Sequence, residues 1–391
     1  MRIIYIGSFR LPNYDAAGAR VLNVARALRL AGHEVRFVSW GGVERECDLC
    51  PDGKYRVDGF EYVVTHELDS KGNFFKRVAA KIIRGGKTKR LLRERLGQYD
   101  AIITYNGNLA RWLLRFTKKH NVKLICDLTE WYDNNELILT DWLPYAINMY
   151  YTQKRVKNKI VISHFFDDYY KTTHNIVIPA TCDAAEAKWQ QGAAIAKGKA
   201  GEFDGITLIY AGNPARKDAV HYAINAVQRL IDEGENVRFL VVGTERERYL
   251  KNYADLLSKK ELSERIQFLG RVPQDDVPSY YALADFMVLL REPTKKSNAG
   301  FPTKFAESFT SGTPVIANLT SDLRYYLFDG NTGFVVKEPT EAAIYETIKS
   351  RILPLSRKFI EEMKRNVMEE AKRLDYHCFV EPLKDFFENL K

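Results

Sequence analysis

The stretch "IIYIGSFRLPNYDAAGARVLNVARALRLAGHEVRFVSW" (residues 3–40) decides the fold. A β-branched run ends at Gly7, and a polar loop follows. Apolar residues then recur at helical spacing through Val21, Leu22, Val24, Ala25 and Leu28. Gly32 stands where a helix terminates, and "EVRFVSW" resumes as a strand. Strand, helix, strand is the repeating unit of a parallel sheet. The pattern continues through "AIITYN" (101–106), "VKLICDLT" (122–129), "KIVISH" (159–164) and "NIVIPAT" (175–181), and restarts at "ITLIYAGNPARKDAVHYAINAVQRLIDEGENVRFLVVG" (206–243). "IQFLG", "DFMVLL" and "GFVVK" complete the second half.

The expected architecture is α/β, with two Rossmann-like doubly wound parallel-sheet domains facing across a cleft. A length of 391 residues exceeds one ordinary core and agrees with two. The boundaries read as 1–183 and 205–375, joined by a linker at 184–204 that is rich in small residues. A C-terminal helix, 376–391, packs back on the first domain. Ligands in such sheets bind at the carboxyl ends of the strands.

Composition excludes several classes. Hydrophobic content of 46% and charged content of 28% are those of a folded globular chain, and no run reaches the ~18 apolar residues of a spanning helix. The start "MRIIYIGSF" reads as a strand rather than a signal peptide, and five scattered cysteines fit a reducing, cytoplasmic setting. The net charge is +9, and residues 71–95 alone hold ten Lys or Arg and one acid. Excess charge confined to one segment argues against nucleic acid and for one local basic surface. Phe74, Phe75, Val78, Ile82, Leu91 and Leu92 recur between those cations. That is the pattern of an interfacial helix pair on an anionic membrane, or of an amphipathic helix with a solvated basic face. No Gly-x-Gly-x-x-Gly follows a strand, which disfavours a nicotinamide dehydrogenase.

Chemistry concentrates in two turns of the second half. "AGFPTKFAESFTSGTPVIAN" (299–318) sets Gly300, Phe301, Pro302, Thr303 and Lys304 at a helix start, with Pro302 in the first helical turn and Glu307 one turn further. Free amides and the helix dipole suit an anion there. "YAGNPARKD" (210–218) ends a strand at Gly212, presents Arg216 and Lys217, and leads into another helix. Two such turns in one half suit a diphosphate.

On these residues the second half resembles the nucleotide-binding domain of glycosyltransferase family 4, retaining enzymes of the two-domain GT-B fold. The resemblance is strongest from 205 to 336. It implies that Lys217 grips the donor pyrophosphate, with Arg216 substituting for the family's arginine, whose position Asn213 occupies. It implies that Glu307 accepts the ribose hydroxyls and that Arg271 and Val272 hold the base. Arg291 and Gly18 join the donor-binding set. The family's first glutamate falls on Ala299, a departure shared with a subgroup in surface-polysaccharide assembly. "LICDLTEWYDNNE" sets Asp127, Glu130 and Asp133 at a strand end; the resemblance implies that Asp127 holds the position where many relatives carry a histidine close to the transferred sugar, with Glu130 nearby. Ser163 and His164 sit at another strand end.

The activity implied is transfer of a sugar, with retention, from a UDP- or GDP-sugar to a glycan or lipid-linked acceptor in cell-surface polysaccharide synthesis. No metal or other cofactor is demanded, because cations and helix amides can neutralise the leaving diphosphate. The location implied is cytoplasmic, peripheral on the inner membrane face. Two alternatives share the fold: a nucleotide-sugar 2-epimerase and a non-catalytic nucleotide-sugar-binding subunit.

Overall fold

The computed structural model describes residues 1–12, 15–42, 48–50, 54–65, 85–132, 139–198, 203–214, 218–259 and 261–391. They divide into two units, Met1–Thr181 with Tyr376–Lys391, and Cys182–Asp375.

The first unit is built on a nine-stranded sheet. Its strands are β1 (Arg2–Gly7), β2 (Glu34–Ser39), β3 (Asp48–Leu49), β4 (Tyr55–Val57), β5 (Phe60–Val64), β6 (Ala101–Tyr105), β7 (Lys123–Leu128), β8 (Asn158–Val161) and β9 (His174–Val177). Their order is β3-β4-β5-β2-β1-β6-β7-β8-β9. β1 lies between β2 and β6, pairing Ile3 with Val35 on one side and Ala101 on the other. Both its faces are covered, which is why it reads as a continuous apolar run rather than an alternation. Strands β5 through β9 are parallel, but β4 runs antiparallel to both β5 and β3, so this sheet is mixed at one edge. Nothing in the hydrophobic periodicity announced that hairpin, because its strands are short and turn on Asp58 and Gly59, both at positive φ.

Helix Ala16–Leu30 begins at Asp15, whose side chain caps it by accepting from the Gly18 amide. The C-terminal helix Val380–Glu388 lies against this helix and β9, with His174 stacked on Phe386 at 4.6 Å between ring centres.

The second unit carries β10 (Ile206–Ala211), β11 (Val237–Val242), β12 (Ile266–Phe268), β13 (Phe286–Leu289), β14 (Val315–Ala317) and β15 (Gly333–Val335). They form a six-stranded sheet, ordered β12-β11-β10-β13-β14-β15, all parallel. Strand β10 is buried throughout, again the signature of a central parallel strand. The expected linker is not an open connection. Ala187–Gly198 forms a helix belonging to this unit, and its Gly192 faces Pro278 on the helix Val277–Leu283. Small residues allow that close approach, and the same composition read as a linker in the sequence. Among the described residues no helix is long and apolar enough to cross a membrane.

Candidate active site

Sheet order in the second unit places the carboxyl ends of β12, β11, β10 and β13 side by side, carrying Arg271, Gly243, Gly212 and Arg291 in turn. The Gly243 amide donates to the Gly270 carbonyl at 2.7 Å, tying two of these turns together. Gly212 has φ +140°, a value side chains other than glycine rarely adopt, and a Cβ there would stand 3.0 Å from Lys304 Nζ. The two phosphate-type turns therefore meet, one bringing glycine and the other lysine.

Lys304 is held by groups the motifs did not single out. Its Nζ donates to Asp218 Oδ2 at 2.8 Å and to the Tyr210 hydroxyl at 2.7 Å, and Tyr210 donates to the same carboxylate oxygen at 2.7 Å. Arg291 Nε lies 3.3 Å from Asp218 Oδ1. Burial alone would raise the Asp218 pKa, but Lys304 and Arg291 carry it well below the usual carboxylate range. Burial, reinforced by Asp218, pushes the Tyr210 phenol well up. Two cations thus surround one buried anion, and the cluster keeps net positive charge at the strand ends. Tyr210 and Asp218 escaped sequence reasoning because their partner lies 86 or more residues away. The available signal was a polar-tipped aromatic in a fully buried strand, which needs a hydrogen-bond partner.

The helix Thr303–Thr310 has Pro302 at its N-cap rather than in the first turn. Its first amides lack acceptors within the helix and carry the positive end of the dipole. Phe301 turns its ring into the core, edge-on to Phe305 and Tyr326 at 5.9 and 5.8 Å. Gly300 has an ordinary extended backbone, φ −91°, so its conformation does not require glycine. Glu307 is half-buried, and no described residue donates a hydrogen bond to its carboxylate. Burial raises its pKa, with Lys188 and Lys304 opposing. A desolvated carboxylate without a partner is suited to a hydroxyl-bearing ligand. Asn213 and Arg271 are exposed and Val272 half-buried. Arg216 and Lys217 lie outside the described residues.

In the first unit, Asp127 is not available to a ligand. It is fully buried, and Arg20 grips it with Nη2 at 2.7 Å from Oδ1 and Nε at 3.0 and 3.1 Å from the two oxygens. The Tyr5 hydroxyl donates to Oδ2, and Arg20 Nη1 reaches the carbonyls of Ile178 and Pro179 at 2.8 and 3.2 Å. Burial works against the guanidinium charge, but Asp127 outweighs it and raises the Arg20 pKa. This geometry assigns Asp127 to holding β1, β7 and the helix Ala16–Leu30 together, not to reacting atoms. The sequence hint was that Arg20 shares a helix face with Val24, Ala27 and Leu28. Gly18 is likewise structural: its amide is spent on Asp15 Oδ1 at 2.8 Å, and a Cβ would sit 2.1 Å from the Arg10 carbonyl. Glu130 is exposed at the end of β7 and accepts from the Tyr132 hydroxyl. Ser163 is the N-cap of helix His164–Tyr169. Asp133 lies outside the described residues, as do residues 71–84 of the basic segment.

Residues 205–352 match the family model of the group 1 glycosyl transferases. A lipopolysaccharide 1,2-N-acetylglucosaminetransferase of Salmonella typhimurium is 23% identical over 201 residues, 47% of this chain and 50% of that one. A 2-deoxystreptamine glucosyltransferase of Streptomyces kanamyceticus is 28% identical over 113 residues, 29% of this chain and 27% of that one. The chain spans about half the length of the first of these curated relatives, and less of the second. Among solved structures, a sucrose-phosphate synthase of Thermosynechococcus elongatus superposes with TM-score 0.73 at 16% identity, covering 100% of this chain and 99% of that one. Anabaena HepE in complex with UDP gives TM-score 0.71 at 15% identity, with both chains fully covered. The fold is GT-B.

Proposed function

We propose that this chain, whose residues 205–352 match the family model of the group 1 glycosyl transferases, transfers a sugar from a nucleotide-diphospho-sugar to a glycan or lipid-linked acceptor. The observation that carries the reading is the meeting of Gly212 with Lys304 at the buried Asp218, beside a helix N-terminus and Glu307, which accepts no hydrogen bond from a described residue. A diphosphate needs cations and amides fixed before charge develops on the leaving oxygen, and Lys304, Arg291 and the first amides of helix Thr303–Thr310 are so placed. Glu307 would take the ribose hydroxyls. Lys217 and Arg216, which follow Gly212 closely in the sequence, would add charge to the diphosphate as the glycosidic bond breaks.

Retention, a hexosyl donor and work without a metal belong to this proposal, as do UDP or GDP as the carrier and a location on the cytoplasmic side of a membrane. The likeness to a lipopolysaccharide N-acetylglucosaminetransferase supports a glycan-type acceptor. Ala299 keeps a nucleotide-sugar-binding subunit as the second reading, since it removes one of the family's two carboxylates from the sugar side. Thermal shift with UDP, GDP, ADP and dTDP tests the donor site. One or two of them should raise the midpoint by several degrees; no shift with any would refute the reading. Release of free sugar or glycoside then separates enzyme from binding subunit.

A further inference from the structure

The first unit has a cavity of about 1050 Å³ at the carboxyl ends of β6 and β7 that the donor reading does not use. Its floor is the loop after β6, where Asn106, Gly107 and Leu109 all have positive φ, at 51°, 66° and 60°. Non-glycine residues hold that conformation only where surroundings enforce it, and such strain clusters at binding sites. Asn106 Oδ1 accepts from the Thr129 amide and hydroxyl, both at 2.9 Å, and Asn108 Nδ2 donates to the Tyr105 carbonyl at 2.6 Å. Among the described residues, Asn106 Nδ2 and Asn108 Oδ1 have no hydrogen-bond partner.

Aromatic rings supply the walls: Trp112, Tyr132 and Tyr145 line the cavity, Tyr132 edge-on to Tyr145 at 5.4 Å. Lys89, Arg111 and Arg115 also line it, and Lys89 Nζ stands 5.6 Å from the centre of the Trp112 ring. Arg111 and Arg115 are one helical turn apart on Ala110–His120 and, among the described residues, make no hydrogen bond or ion pair. Like charges at that spacing destabilise their own helix. Glu130, the carboxylate in the lining, is already engaged by Tyr132.

We propose that this cavity binds an anionic saccharide, a sugar carrying phosphate or carboxylate. The ring faces would pack on the aromatics, the hydroxyls would pair with Asn106 and Asn108, and the anion would be taken by Arg111, Arg115 and Lys89. Guanidinium forks match phosphate and carboxylate oxygens in pairs. Such a ligand is the acceptor if the transferase reading holds, and the inference rests on that reading for this role but not for the binding itself.

The test is calorimetry on the full chain at low salt with glucose 6-phosphate, glucuronic acid, glucose and inorganic phosphate, and GDP or UDP titrated into the same samples. The anionic sugars should bind roughly tenfold or more tightly than glucose, and more tightly than inorganic phosphate. Arg111→Gln/Arg115→Gln should erase that preference while leaving the unfolding midpoint and nucleotide affinity unchanged. Absence of binding by both anionic sugars, equal affinity for glucose and glucose 6-phosphate, or equal affinity for inorganic phosphate would each overturn the proposal. So would a double variant that keeps the preference, or one that loses only binding to phosphatidylglycerol vesicles, which would make the cations a membrane contact. Sugar-phosphate binding without nucleotide binding upholds this site and removes the donor reading; the reverse removes only this site.

Discussion

Replacing Asp127 by asparagine removes the counter-charge of Arg20 at a place where the two side chains are 0% and 4% exposed. The guanidinium would stay buried, with only the carbonyls of Ile178 and Pro179 and a neutral amide around it. Breaking a buried pair by removing one partner costs about 3–5 kcal/mol. For a unit of this size that lowers the unfolding midpoint by about 6–20 °C. Scanning calorimetry of Asp127→Asn reads this directly, and Asp127→Leu combined with Arg20→Met should recover much of the loss, because no charge is then buried alone. A carboxylate acting on the substrate would give the opposite signature: an unchanged midpoint, with turnover reduced by roughly 10²–10⁴-fold. That result would refute the structural assignment.

Glu307→Gln should weaken nucleotide binding by about 1.5–3 kcal/mol in calorimetry, the range for hydrogen bonds to a charged group. Since burial raises the Glu307 pKa and ribose hydroxyls favour its ionised form, wild-type affinity should strengthen as pH rises through that pKa, and the variant should lose this dependence. Lys217→Ala should lower turnover by ~100-fold or more while weakening donor affinity much less, since charge on the diphosphate grows in the transition state; equal losses would make it a docking residue. Lys159 is fully buried, donates to the Val156 carbonyl at 2.6 Å and lies 4.9 Å from the Tyr170 ring centre. Burial pulls its pKa down to about 8. Below pH 8 folded and unfolded chains both carry the proton; above it the folded chain releases the proton first. Stability should therefore rise between pH 8 and 10.5, by about 3 kcal/mol at most. Lys159→Met should flatten that rise in denaturant titrations and be the more stable protein at pH 7.

The βαβ rhythm of 3–40 and 206–243 determined the parallel strands at the heart of both sheets, because a strand covered on both faces must be apolar throughout and its crossover helix must be amphipathic; the antiparallel edge of the first sheet was not legible there. Glycine after β10, Arg216 and Lys217 a few residues on in the sequence, and a polar helix start after β13 marked the candidate anion-binding ends for the same local reason: each stretch's chemistry is written in adjacent residues. Tertiary structure alone decided which charges are spent inside the fold. Asp127 reads as a strand-end acid until Arg20, 107 residues away in sequence, closes on it. Lys304 reads as an open cation until Asp218 and Tyr210 anchor it from another strand end. The helix at Ala187–Gly198 has too weak an apolar stripe to declare itself before it meets Pro278. Local sequence sets backbone form through sterics and solvation of near neighbours. A buried ion's partner depends on which strand ends the sheet order brings together, and no local pattern carries that order.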